Sequence, residues 1–482
     1  MDDLPLRGAS ELAALLAGKQ LSALELVDYF IRRIETYDNQ LNAVVCRQFD
    51  TALAAATAAD KALSRGARLG PLHGVPITVK EALDVEGLAT TWGLPPLKDN
   101  IAHRDAEVVR RLRDAGAIVL GKTNVPTALA DAQTTNPLYG LTRNPWRLDC
   151  TPGGSSGGSA AATAACFSAF EVGSDMGGSI RVPAAFCGVF GHKPSWGVVP
   201  DRGHGLPGMI APTDLGVIGP ISRCADDLAL ALDVMAGPQP LDTPGWQLAL
   251  PRDALQSPEQ LRVAIWTDDP LAPVSKEISV TLETLGKSLE QAGATISYEA
   301  RPEIDFEDNF HIQQYLMGAL TGVGLGPEEF IEAQRLARGI PDADQSCLAG
   351  AARSRVISHR EWLLLNNRRE ANRYVWREFF QNWDVLLCPT YATVAFSHDD
   401  RPIEARSHCV DGQQQEYFQP MFWASLATAS YLPATVFPAG SSEHGLPIGL
   451  QVVGAQYRDH LTIQAAKLMA RCAGHEISLP PF

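Results

Sequence analysis

With 482 residues, 45% of them apolar and 20% charged, the chain has the material for one large globular domain or two closely packed ones, and its composition is not that of a disordered protein. A formal charge of −15, with no basic run beyond pairs such as Arg110-Arg111 and Arg368-Arg369, argues against direct nucleic-acid binding. The start Met1-Asp2-Asp3-Leu4-Pro5 is acidic where a secretory leader is basic, and no stretch approaches about eighteen consecutive strongly apolar residues, so a cytoplasmic protein with no membrane span is expected.

Ser22-Ala23-Leu24-Glu25 has the spacing of a capping box, and Val27, Phe30, Ile31 and Ile34 follow at helical intervals, which predicts an amphipathic surface helix. Gly74-Val75-Pro76-Ile77-Thr78-Val79-Lys80 is short, β-branched and opened by glycine, and reads as a strand ending at a lysine. Residues Ala106 to Ala115 are helical in pattern, Gly116 can stop them, and Ala117-Ile118-Val119-Leu120-Gly121 reads as a buried strand. The small residues from Ser159 to Ala169 suit a helix packed tightly on a sheet, with Phe170-Glu171-Val172-Gly173 as the next strand. From about 305 to 382 the pattern is mainly helical, clearest over Glu361 to Phe380, and the region is either a subdomain covering the site or a set of outer helices. Val385-Leu386-Leu387 and Ile448-Gly449-Leu450-Gln451-Val452-Val453 read as strands, and about His460 to Arg471 as a final helix. This alternation predicts an α/β protein: a large, mostly parallel or mixed twisted sheet sandwiched between helices on both faces, in a single domain spanning residues 1–482. The nine cysteines are odd in number, scattered and without a C-x-x-C pair, so reduced, mostly buried thiols are expected. With no H-E-x-x-H and no close His/Asp cluster, neither a metal nor another cofactor is expected.

Gly153-Gly154-Ser155-Ser156-Gly157-Gly158-Ser159 sets three hydroxyls among four glycines between strand and helix signals. A flexible linker does not sit there. A phosphate loop lacks its Gly-Lys-Ser/Thr ending and its G-x-G-x-x-G spacing. A catalytic loop, in which glycine lets backbone approach a substrate, remains. A second such turn, Gly173-Ser174-Asp175-Met176-Gly177-Gly178-Ser179-Ile180-Arg181, lies one helix downstream, so the two could meet at one point. Acyl transfer needs an activated hydroxyl beside donors for the developing oxyanion, and Ser179 after two glycines fits that need.

These residues resemble the signature of the amidase signature family almost throughout, from Gly153–Ser159 through Asp175–Gly188 to Lys193-Pro194. His73 to Lys80 is similar to the family's lysine strand, and Thr142-Arg143-Asn144-Pro145-Trp146 to its lead-in to the serine loop. The resemblance covers residues 5 to 235 well, with a signature core of about 70–235, and residues 380 to 470 more thinly. It implies a hydrolase of carbon–nitrogen bonds in linear amides, and of some carbamates and esters, working through an acyl-enzyme. Carried over position by position, it makes Ser179 the nucleophile, Ser155 a bridging serine in a cis peptide link and Lys80 the base. The backbone N–H groups of Met176, Gly177, Gly178 and Ser179 become the oxyanion hole, and Leu129 matches a substrate-contacting position of the fatty acid amide hydrolases. Asp175 and Arg181 are expected to be structural, tying the two glycine turns together. An ordinary lysine is a cation, so Lys80 can serve as a base only where burial keeps it neutral.

A Ser-His-Asp triad conscripting His204 or Asp214 has no G-x-S-x-G elbow to support it. The alternative within the family is the glutamine-hydrolysing component of tRNA-dependent amidotransferases; Met176 stands where that component usually has threonine, and Leu88 to Gly93 look more like stand-alone bacterial amidases. A small-molecule amide is the expected partner, and a homodimer stays open. The pocket is expected from the loops 129–139, 200–215 and 305–420, where Tyr315, Met317, Phe418, Met421, Phe422 and Trp423 either line an apolar site or pack the core.

Overall fold

Lys80 ends a strand, Pro76–Lys80, every residue of which is buried, in the computed structural model of the chain, which describes residues 4–67, 70–252 and 255–481. The acidic Met1-Asp2-Asp3 lies outside the described residues. The early helix runs over Ala23–Leu41. Ser22 Oγ accepts the Glu25 N–H at 3.1 Å, and Glu25 Oε2 accepts the Ser22 N–H at 2.9 Å, a closure worth about 1 kcal/mol. Its apolar stripe, Val27, Phe30, Ile31 and Ile34, is buried.

The sheet has eleven strands in the spatial order Val44–Arg47, Ile118–Thr123, Pro76–Lys80, Phe170–Asp175, Val217–Ser222, Phe190–Lys193, Ala434–Ser441, Pro447–Gly454, Val385–Pro389, Arg262–Ile265 and Thr295–Ser297. Pairing is parallel from Ile118–Thr123 through Pro76–Lys80 to Phe170–Asp175, and again from Val385–Pro389 to Thr295–Ser297. Between those flanks every pairing is antiparallel. The sheet is therefore mixed rather than mostly parallel. The parallel crossover expected after the lysine strand is present, through helix Glu107–Asp114.

The run of small residues forms a shorter helix than its composition suggests, Gly157–Ala164, buried at every position. Cys166 turns left-handed at φ +56°, and the Ala169 N–H is taken by Pro76 O at 3.0 Å, so the sheet recruits residues that the helical pattern would have kept. Glycine at 158 is required by contact: a Cβ there would lie 2.3 Å from the backbone nitrogen of Asn124.

Residues 305–382 carry four helices, Phe306–Gly322, Pro327–Gly339, Cys347–Ser354 and His359–Asn382. The first packs against helix Met421–Thr428. All nine cysteines are free; Cys150, Cys166, Cys187 and Cys388 are buried and Cys409 is exposed, so burial is less general than expected. Among the described residues no helix is long and apolar enough to cross a membrane, and no three His, Cys, Asp or Glu side chains gather as metal ligands.

Candidate active site

Adjacent parallel strands set the floor of the site. Thr78 pairs with Glu171 and Val79 with Val172, so Lys80 leaves its strand beside the Ser174-Asp175 end of the next. Lys80 Nζ donates to Ser155 Oγ at 2.7 Å, to Ser174 Oγ at 2.9 Å and to the Ser174 carbonyl at 3.4 Å. The Gly154–Ser155 peptide bond is cis. Lys122 and Lys193 are also fully buried, but they meet backbone carbonyls and, for Lys122, the hydroxyl of Thr90. Lys80 is thus the buried lysine among them that meets serine hydroxyls.

Ser156 joins the two glycine turns. Its N–H donates to Ser179 O at 3.0 Å, and its Oγ donates to Ser174 O at 3.2 Å while accepting the Ser174 N–H at 3.3 Å. Asp175 and Arg181 do a different job from the one expected of them. Asp175 takes the N–H groups of Gly178, Ile180 and Arg181 and both ends of the Arg181 guanidinium at 3.0 Å. Arg181 then reaches Ala424 O at 2.9 Å, Thr428 Oγ1 at 2.7 Å and Gln451 Oε1 at 3.2 Å. The pair shapes the Ser179 turn and anchors it to helix Met421–Thr428, rather than tying it to the Ser155 loop.

Ser179 is half-buried, and its hydroxyl makes no hydrogen bond among the described residues. Of the four amides in this turn, that of Gly178 is already spent on Asp175 Oδ1 at 2.8 Å. Those of Met176, Gly177 and Ser179 have no acceptor among the described residues, and Met176 and Gly177 keep solvent access. Leu129 lies on a neighbouring loop, with φ +59°. That loop touches the site through the Asp131 carbonyl, which would lie 2.2 Å from a Cβ at Gly154.

Burial lowers the proton affinity of Lys80 to about 7, against the opposing pull of the Asp175 and Glu171 charges. Burial also pushes the Glu171 carboxyl up to about 8; its Oε1 accepts from Thr123 Oγ1 at 2.8 Å, and its buried Oε2 has no partner among the described residues. Burial opposes ionisation of Asp175 too, but Arg181, Lys193 and the Gly178 N–H together hold it well below the usual carboxylate range.

The rival histidine arrangement is not assembled. Asp214 is held by Arg369 at 2.8 Å and by the Tyr431 hydroxyl, and His204 packs on Trp92 with ring centroids 5.3 Å apart. His192 bonds Thr435 and Asp459 deep in the core.

The apolar candidates divide. Met421 Cε and Met317 Sδ roof the Gly177 turn, at 2.5 Å and 3.3 Å from where a Cβ would sit. Tyr315 packs in a small cluster around Leu316 and Tyr431 that also receives Met176. Phe422 and Trp423 are wholly buried against Trp266 and belong to the core, and Phe418 packs on Tyr417. A cleft of about 210 Å³ between Trp146, Arg223 and residues His475 to Ser478 includes none of Lys80, Ser155 and Ser179. Ser174 and Gln313, which also lie at the site, were not singled out from the sequence. A lone serine next to an aspartate on a strand carries a faint signal at most, and a glutamine in a remote helix carries none.

An eleven-stranded mixed sheet with a buried lysine against two seryl loops defines an α/β enzyme with a hydrolase-type centre. The amidase family model matches residues 25–463, and the chain belongs to that family, the amidase signature enzymes, which hydrolyse carbon–nitrogen bonds in amides. It is 34% identical to the A chain of a glutamyl-tRNA(Gln) amidotransferase from Moorella thermoacetica, over 95% of each protein. It is also 34% identical to an indoleacetamide hydrolase of Bradyrhizobium diazoefficiens, over 97% of this chain and 86% of the other. A solved bacterial aryl acylamidase superposes with a TM-score of 0.80 at 27% identity, covering 97% of this chain and 96% of that one.

Proposed function

We propose that the chain cleaves a small-molecule amide through an acyl-enzyme on Ser179, with Ser155 relaying the proton and Lys80 as the base. The observation that carries this reading is the 2.7 Å contact between Lys80 Nζ and Ser155 Oγ, made by a lysine whose burial brings it to about 7. Once Lys80 is neutral, its lone pair faces the Ser155 hydroxyl, and Ser174 Oγ at 2.9 Å fixes the direction of Nζ. As Ser179 Oγ attacks the carbonyl, its proton passes to Ser155 and that of Ser155 to Lys80. The oxyanion is received by the unoccupied N–H groups of Met176, Gly177 and Ser179, the Gly178 N–H being committed to Asp175. Collapse returns the proton through Ser155 to the leaving nitrogen, and water then cleaves the ester by the same relay. Leu129 is assigned a substrate contact because its loop packs on Gly154.

Anilides, carbamates and esters would pass through the same kind of intermediate, since the acyl chemistry does not depend on the leaving group. The similarity to an indoleacetamide hydrolase supports an amide on a carboxymethyl-type acid. Equal similarity to a glutamyl-tRNA(Gln) amidotransferase component keeps glutamine hydrolysis for a partner enzyme as the second reading; activity of the isolated chain on simple amides separates the two. A fluorophosphonate serine label followed by peptide mapping tests the roles. Modification at Ser179, lost in Ser179→Ala, is expected, and modification at Ser155 would overturn the assignment.

A further inference from the structure

Helix Phe306–Gly322 turns one polar side chain toward the Gly177 turn without giving it a partner. Gln313 is 1% exposed, and neither its Nε2 nor its Oε1 has a hydrogen-bond partner among the described residues. Its Nε2 lies 3.9 Å from the position of a Cβ on Gly177, next to Met317 and Met421. Asn309, one turn earlier on the same face, at least accepts from Asn372 Nδ2 at 3.3 Å. Ile312 and Leu316 beside Gln313 are apolar and buried. A buried carboxamide with both its donor and its acceptor idle is costly, and a methionine of the same length would pack this site better.

From this juxtaposition we infer that Gln313 is a substrate-recognition residue whose carboxamide pairs edge-on with the –CONH2 of a primary amide held at the Gly177 turn. The inference rests on the proposal that this turn receives the substrate carbonyl. The stereochemistry selects the class. A primary amide presents a carbonyl oxygen and an N–H on one edge, which matches the Gln313 Nε2 donor and Oε1 acceptor at once. A trans secondary amide or anilide presents them on opposite edges, and an ester has no donor. Sites that hydrogen-bond a substrate group reject the analogue lacking it, because their own buried polar atoms are then left unpaired.

The test compares kcat/KM for a primary amide, the N-methyl amide and the methyl ester of one arylacetic acid, using the full chain and its Gln313→Met and Gln313→Leu variants. The expected result is a fall of about ten- to a hundredfold in the primary-amide-to-ester ratio, the size of one or two lost hydrogen bonds, with Tm unchanged or raised. A ratio within about threefold of wild type, or a Tm lowered in both variants with equal losses on all three substrates, would show a packing role and overturn the inference. Failure of the catalytic reading looks different: Ser179→Ala would then turn over both amide and ester, whatever the ratio in the Gln313 variants.

Discussion

Lys80→Arg together with a pH series probes the central claim about the site. A lysine of ordinary pKa, near 10.4, is neutral in roughly one molecule in two and a half thousand at pH 7. At about 7, where burial brings Lys80, about half of the molecules carry the free amine, so the fold supplies a roughly thousandfold larger fraction of competent base. Two charges limit that effect: Asp175 and Glu171 both pull the value upward. Measured on wild type, kcat/KM should rise about tenfold per pH unit below about 7 and level off above it, because this quantity reports groups of the free enzyme. Lys80→Arg should lose about a thousandfold or more at every pH up to 9, since a guanidinium stays protonated. Stability carries a second, opposite signature. The folded value lies below the unfolded one, so the unfolded chain binds the extra proton between about 7 and 10.4 and the burial penalty eases as pH rises through that window. Lys80→Met should therefore be inactive, while its Tm advantage over wild type shrinks from pH 7 to pH 10. A profile that is flat from pH 5 to 9, or Lys80→Arg turnover within about tenfold of wild type, would refute the reasoning.

Two further outcomes are expected. Asp175→Asn leaves the Arg181 guanidinium, 0% exposed, without its anion and should cost about 3–5 kcal/mol, read as a lower urea midpoint at unchanged m-value. Hydroxylamine should trap the acyl group of an amide and of the matching ester in one common hydroxamate-to-acid ratio, as a shared acyl-enzyme requires; a ratio that varies with the leaving group would remove Ser179 and Ser155 from their roles together.

The elements whose local chemistry is self-contained were legible from the chain. The Ser22 cap, the β-branched strand at Lys80, the glycine turns around Ser155 and Ser179, and the alternation that builds an α/β sheet all follow from residues close in sequence. The end of the small-residue helix was not, because the sheet claims Ala169 through the carbonyl of Pro76, far back along the chain. Nor was the sheet's antiparallel middle, which is set by strands that arrive from residues 385 to 454.

Residue types and their spacing alone determined that a lysine and two glycine-set serines are the groups available for acyl transfer, since no other arrangement in the chain has the right chemistry. Tertiary packing decided how those groups are used. It buried Lys80 far enough to lower its proton affinity, gave it Ser174 as a second partner, spent the Gly178 amide on Asp175 while leaving its neighbours free, and brought Gln313, Met317 and Met421 over Gly177. The physical reason is that desolvation and hydrogen-bond competition depend on atoms brought in from strands and helices far along the chain, and no local pattern of residues encodes them.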